Sequence, residues 1–164
     1  MAIERFNDEY AFLSNMYPMK GAVKVPDGLV APTLRDVVML SVEHPYQASK
    51  FEDPIAQAQV LSAVDGYKAK KVADRLVEAE SPIREDWADA RLDIMRELVA
   101  RKFAAGTRLA YLLLNTGEEE LIEGNTWDDT FWGVCPPGSG NGLNWLGRTL
   151  MDTRQALRQG NQRK

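Results

Sequence analysis

The chain has 164 residues, 45% of them hydrophobic and 27% charged, which suits one ordinary globular domain able to bury a real core. A single cysteine and a single histidine exclude an internal disulfide and a Cys/His zinc site, and point to a reducing, cytoplasmic compartment. A formal net charge of −4 lacks the basic excess of a protein that wraps nucleic acid, and no apolar run reaches the roughly 20 residues of a membrane span.

The N-terminus, "MAIERFNDEY", carries no apolar h-region of a secretory signal. "EYAFLSNMYP" follows as a short aromatic stretch holding Ser14 and Asn15. "GAVKV" and "RDVVMLSV" read as strands that pair as a hairpin across the turn-rich "PDGLVAPT". Beyond Val42 the periodicity becomes helical. Pro45 suits a first helical position, with His44 or Glu43 near the cap, and that helix stops before Pro54. Asp53 then caps a second helix. In "GYKAKKVADRLVEAE", Ala69, Val72, Ala73, Leu76 and Val77 form an amphipathic stripe. Ser81 and Pro82 predict another helix start in "SPIRED". The longest helix is expected over 86–104, with Trp87, Arg91, Ile94, Met95, Leu98 and Lys102 on one face and Gly106 closing it. "TRLAYLLLNTG" is a further helix ending at Gly117, and "ELIEG" a short strand. A loop dense in Gly, Pro and Trp fills 125–144. The last helix starts near Asn144 and turns Leu146, Leu150 and Leu157 inward, leaving a frayed tail over 161–164. The fold class is therefore mainly α, with a few short strands: one compact domain of about seven helices over 1–160.

Two stretches hold the chemistry. In "SVEHPYQASKF", Glu43 stands where strand gives way to helix, and Tyr46 and Lys50 are i and i+4 neighbours. Lys50 is a candidate nucleophile, phosphate anchor or ion-pair partner. In "EGNTWDDTFWG", Glu123, Asp128 and Asp129 stand among Trp127, Phe131 and Trp132. Acids beside flat aromatic rings suit a ligand with a sugar and a nitrogenous ring, and equally suit a rigid loop whose aspartates cap a turn. Basic residues gather at Lys68, Lys70, Lys71 and Arg75, and again at Arg148, Arg154, Arg158, Arg163 and Lys164. Either group reads as a solvated helix face or as a small phosphate grip. "GSGNG" lacks the lysine and the preceding strand of a phosphate loop.

Together these motifs resemble the NADAR (YbiA-like) family of N-glycosidases. The resemblance rests on "FLSNMYP", "SVEHPYQASKF", "AKK", "REDW", "KF" at Lys102 and Phe103, "LLNTG", "LIEGNTWDDTFWG" and "GLNWLGRTLMDTR", in order along nearly the whole chain. One departure is the segment "KVPDGLVAPTLRDVVML", longer than the usual link before the Glu-His motif. Another is Pro45, where alanine or tyrosine is common.

The resemblance implies hydrolysis of a C–N bond between ribose and a nitrogenous ring, with no metal or organic cofactor. The implied substrates are riboflavin-pathway ribosylamino-pyrimidine phosphates or a similar small N-riboside. One alternative is removal of ADP-ribose from a modified base in nucleic acid; another is non-catalytic binding of ADP-ribose or a nucleotide. Carried over motif by motif, Glu43 and Asp129 are the expected catalytic carboxylates and Lys50 the catalytic amine. Glu123 is a third acid or a positioner of Lys50. Tyr46, Trp87 and Trp132 are expected to line or stack on the substrate. Asn15 and Asn144 are expected to hydrogen-bond its ribose or phosphate. Asp129 is preferred to Asp128 because it heads the family's Asp-x-x-Trp-Gly.

Overall fold

The computed structural model describes every residue except Ala22, Arg163 and Lys164, and describes Asn161 and Gln162 by their backbone alone. The fold is mainly helical, as expected. The described residues form six α-helices, two short 3-10 turns and one two-stranded sheet. The chain divides into two compact units, one of residues 15–101 and one combining residues 1–14 with 102–164.

The first unit holds α1 (Glu43–Ala48), α2 (Pro54–Leu61), α3 (Gly66–Glu78) and α4 (Trp87–Lys102) up to Arg101. Helix α1 packs against both α2 and α3, and all six of its residues are buried, three of them polar. It begins at Glu43, two residues before Pro45, and ends at Ala48. Asp53 caps α2 as predicted, its carboxylate accepting the Ile55 amide at 3.0 Å. Asp65 caps α3 in the same way, accepting from Lys68 N at 2.8 Å. The α3 stripe is narrower than its spacing suggests: Ala69 and Ala73 are buried, but Val77 faces solvent.

The strands expected near 21–25 and 35–42 do pair antiparallel, but at a single bridge, Lys24 to Val38. Two backbone bonds flank it, Val25 N to Val37 O and Met39 N to Val23 O. The Val37 amide turns back to the Leu34 carbonyl, at the end of the 3-10 turn that Pro32 opens, so no ladder propagates. The helix start expected at Ser81 is absent. Residues 81–86 run as a connector in which Ile83 bridges Phe51 and Arg84 N donates to Lys50 O, and α4 begins only at Trp87. Val42, Phe51, Val60, Met95 and Leu98 form the core of this unit.

In the second unit, β1 (Ala2–Ile3) pairs parallel with β2 (Glu120–Leu121), Ala2 opposite Glu120 and Ile3 opposite Leu121. Helix α5 (Arg108–Asn115) is capped by Thr107, whose hydroxyl accepts the Ala110 amide. It packs against α6 (Trp145–Gln162), which also lies on β2. At 18 residues α6 is longer than the 16-residue α4, so the longest helix is the last. It continues through Gln162, and the remainder of the expected frayed tail, Arg163 and Lys164, lies outside the described residues. Leu146 and Leu150 are buried on α6, while Leu157 is half-exposed. No described helix is long and apolar enough to cross a membrane.

Candidate active site

Within the unit of residues 15–101, the structure gathers Asn15, Glu43, Tyr46, Lys50 and Trp87. The Glu43 amide donates to the Asn15 carbonyl at 3.2 Å, which ties the "FLSNMYP" loop to the start of α1. The Glu43 side chain is only 6% exposed. One turn on, Gln47 Nε2 donates to Glu43 Oε1 at 2.7 Å. Burial raises the Glu43 pKa, opposed by the Gln47 hydrogen bond and by the charges of Lys70 and Lys50.

Lys50 is not a second-turn residue of α1, because the helix ends at Ala48. It lies in the turn beyond and still meets Tyr46 around a shared partner. The Trp87 ring stands 5.2 Å from the Tyr46 ring, centroid to centroid, and the Lys50 ammonium lies 5.8 Å from that same indole. Burial lowers the Lys50 pKa and Lys70 lowers it further, against the charges of Asp74 and Glu43. A half-buried amine of depressed pKa, an enclosed carboxyl of raised pKa and an aromatic wall thus occupy one neighbourhood. That is the arrangement acid–base or nucleophilic chemistry requires. Asn15 places its amide against Met95 on α4, Nδ2 to Sδ at 3.4 Å.

The "EGNTWDDTFWG" loop lies in the other unit and is organised by Asn125, a buried residue that the sequence reading passed over. Its Oδ1 accepts the amides of Trp127 and Asp129, and its Nδ2 donates to the carbonyls of Asp129 and Val134. Asp129 Oδ1 accepts the amides of Phe131 at 3.0 Å and Trp132 at 2.8 Å, the turn-capping geometry of an aspartate. Trp132 is half-buried and edge-on to Phe131, centroids 4.8 Å apart. Trp127 is 64% exposed and belongs to no core. Asp128 is exposed, at φ +62°. The Asn144 amide is committed to backbone: its Oδ1 accepts Glu123 N at 3.0 Å and its Nδ2 donates to Leu121 O at 2.9 Å.

Lys102 is the second residue the sequence reading undervalued. Expected only on one face of the long helix, it is 2% exposed and donates to the Ser14 carbonyl at 2.7 Å. Burial pulls its pKa down to about 7, with the Glu123 carboxylate acting in the opposite sense. The signal was its place four residues after Leu98, on the buried stripe of α4.

Burial lowers the His44 pKa, and its ring nitrogens are engaged by the Ser41 hydroxyl and the Ala63 carbonyl at 2.8 and 2.9 Å. Among the described residues no three His, Cys, Asp or Glu side chains stand together as a metal site. Two of the C-terminal arginines are engaged by the protein itself. Arg154 is buried and donates to Thr116 Oγ1 and the Glu119 carbonyl, while Arg158 donates to the Gly117 carbonyl and pairs with Glu118.

Comparison with known proteins places these residues in context. A family model described as the NADAR domain matches residues 3–158. A riboflavin biosynthesis protein of Vibrio vulnificus is 38% identical over 153 residues, which is 93% of this chain but only 37% of that larger protein. An N-glycosidase of Nostoc punctiforme is 36% identical across 76% of this chain and 78% of its own. The N-glycosidase YbiA of Escherichia coli is 32% identical across 92% of this chain and 84% of its own. The NMR structure of Escherichia coli YbiA superposes with a TM-score of 0.76 at 26% identity, covering 100% of this chain and 88% of that one.

Proposed function

Because the chain belongs to the NADAR domain family, we propose that it is an N-glycosidase that hydrolyses the C–N bond between ribose and a nitrogenous ring. We take its substrate to be a small N-riboside such as a ribosylamino-pyrimidine phosphate. The observation that carries this reading is the Glu43–Lys50–Trp87 neighbourhood, where burial drives acid and amine pKa values towards one another. The names of the N-glycosidase relatives support the reaction class, and the Vibrio relative's name supports the substrate class.

In this reading the raised pKa suits Glu43 to give a proton to the departing ring nitrogen. The lowered pKa suits Lys50 to offer its lone pair to C1′. The C1′–N(ring) bond breaks as a C1′–N(lysine) bond forms, and Glu43 recovers a proton from the lysine nitrogen. Water then displaces the lysine, so the sum is riboside plus water to ribose phosphate plus free base. Trp87 and Tyr46 supply flat apolar surface for the ring. Roles for Asp129, Glu123 and Trp132 rest on their motifs alone, and Asn144, whose amide is taken up by backbone at both ends, is given none. The free Cys135 supports a reducing compartment such as the cytoplasm.

The test is incubation with a ribosylamino-pyrimidine phosphate, followed by assay of ribose 5-phosphate. Release that is lost in Lys50→Ala supports the reading. No release at high enzyme concentration overturns it.

A further inference from the structure

Four carboxamide side chains are buried among the described residues: Gln47, Gln57, Asn125 and Asn144. Three of them use both ends. Gln57 Oε1 accepts the Ala31 amide while its Nε2 donates to the Phe51 carbonyl. Asn125 and Asn144 are engaged through oxygen and nitrogen alike. Gln47 is the exception. It is only 5% exposed, its nitrogen is fixed on Glu43 Oε1 at 2.7 Å, and its enclosed Oε1 receives no hydrogen bond from any described residue.

A second enclosed acceptor, Asn15 Oδ1, is in the same condition. It belongs to the residue whose carbonyl receives the Glu43 amide. Two acceptor oxygens without donors among the described residues thus belong to residues bonded to Glu43, Gln47 at its carboxyl group and Asn15 at its backbone amide. An enclosed acceptor left without a donor is costly, and a ligand group with an O–H to give supplies what one such acceptor lacks. A sugar hydroxyl has one such O–H.

We propose that Gln47 is a specificity-determining residue whose side-chain oxygen accepts the 2-hydroxyl of the substrate ribose while its nitrogen holds Glu43. The proposal rests on the N-ribosidase reading and extends it to the choice of sugar. The 2-hydroxyl is the one beside C1′, where an acid bonded to Gln47 has to act, and hydrogen bonds to that hydroxyl strengthen at an oxocarbenium-like transition state. A site built around an enclosed acceptor rejects the analogue that lacks the donor, because the acceptor is then stranded.

The test is direct calorimetric titration of ribose 5-phosphate and 2-deoxyribose 5-phosphate into the wild type and two variants. Wild type is expected to bind the ribose form on the order of tenfold more tightly or better. Gln47→Met, similar in size but without the acceptor, is expected to bring the ratio close to one. Gln47→Glu, which keeps an acceptor oxygen, is expected to retain the preference, and it carries the test if the Met variant fails to fold. A Met variant with the wild-type ratio assigns the enclosed oxygen to bound water and overturns the proposal, as does a wild type that does not distinguish the two sugars. Release of ribose 5-phosphate from the pyrimidine riboside, measured in parallel, separates the two levels. Turnover without sugar discrimination defeats this inference alone, and absence of turnover defeats both.

Discussion

At Glu43 a buried carboxyl group works against stability. Its folded-state pKa is raised above the ordinary value, so folding takes up a proton between the two. Stability then falls as pH rises through the usual carboxylate range towards the folded value, and at neutral pH an ionised Glu43 is a cost. Glu43→Gln removes the charge and keeps the shape. The variant is expected to have a higher Tm than wild type near pH 8, with the gain fading below the ordinary glutamate range, where both proteins carry a neutral group. Its turnover is expected to fall by about 10²–10⁴-fold. A Tm difference independent of pH would contradict the assignment. Lys102 gives the opposite slope. Its pKa falls from 10.5 to about 7 on folding, so between those values the unfolded chain binds the extra proton and stability rises with pH. Lys102→Met lacks this dependence. Wild type should therefore gain on it by up to about 1.4 kcal/mol per pH unit above pH 7, readable from denaturant unfolding at pH 6, 7.5 and 9. Glu43 and Lys50 could be picked out from motif order, because acid and amine stand at a recognisable element boundary. Lys102 was legible only as a place on the α4 stripe, and Gln47 and Asn125 not at all, because only tertiary packing decides which polar side chains lose their water.

Elements bounded by local chemistry were the readable ones. Asp53 followed by Pro54 marks the start of α2, and the apolar stripe of α4 is visible in its spacing. The paired segments around Lys24 and Val38 were overread as strands, because β-propensity says nothing about whether a neighbouring turn will take up the ladder's amides, as the 3-10 turn takes that of Val37. The tight seating of α6 on β2 was not readable at all, since it depends on a glycine. A Cβ at Gly147 would stand 2.0 Å from the Leu121 carbonyl oxygen and 2.5 Å from the Asn144 amide. That amide bonds both Leu121 and Glu123, so neither neighbour can yield without disturbing the "EGNTWDDTFWG" loop. Gly147→Ala is expected to destabilise by about 3 kcal/mol or more. Gly160, on the same helix, has nothing within 4 Å of the added carbon, so Gly160→Ala should be neutral to stabilising by up to about 1 kcal/mol. Urea unfolding of the two variants checks both signs, and an equal loss at the two glycines would remove the argument from close packing.

Charge, at the scale of the whole molecule, bears on the kind of substrate. A net charge of −4 opposes phosphate-rich polymers at long range. The sequence kept a nucleic-acid substrate open chiefly through its C-terminal arginines. Two of these are now accounted for: Arg154 is buried against Thr116 and Glu119, and Arg158 is engaged with Gly117 and Glu118. Arg148 stacks on Trp145 at 5.1 Å. On α3, Lys70 pairs with Asp74 at 2.8 Å, so a polyanion would have to displace a carboxylate to reach it. Counterion release makes the consequence measurable, because each neutralised phosphate of a single strand contributes about −0.7 to the slope of log K against log salt. Binding of a single-stranded oligonucleotide carrying ADP-ribose should therefore show a shallow slope, about −2 or smaller in magnitude, and free ADP-ribose should compete with it at comparable affinity. A steep slope, with oligonucleotide affinity far above that of the free nucleotide, would require a phosphate-tracking surface and would transfer the assignment to nucleic-acid repair.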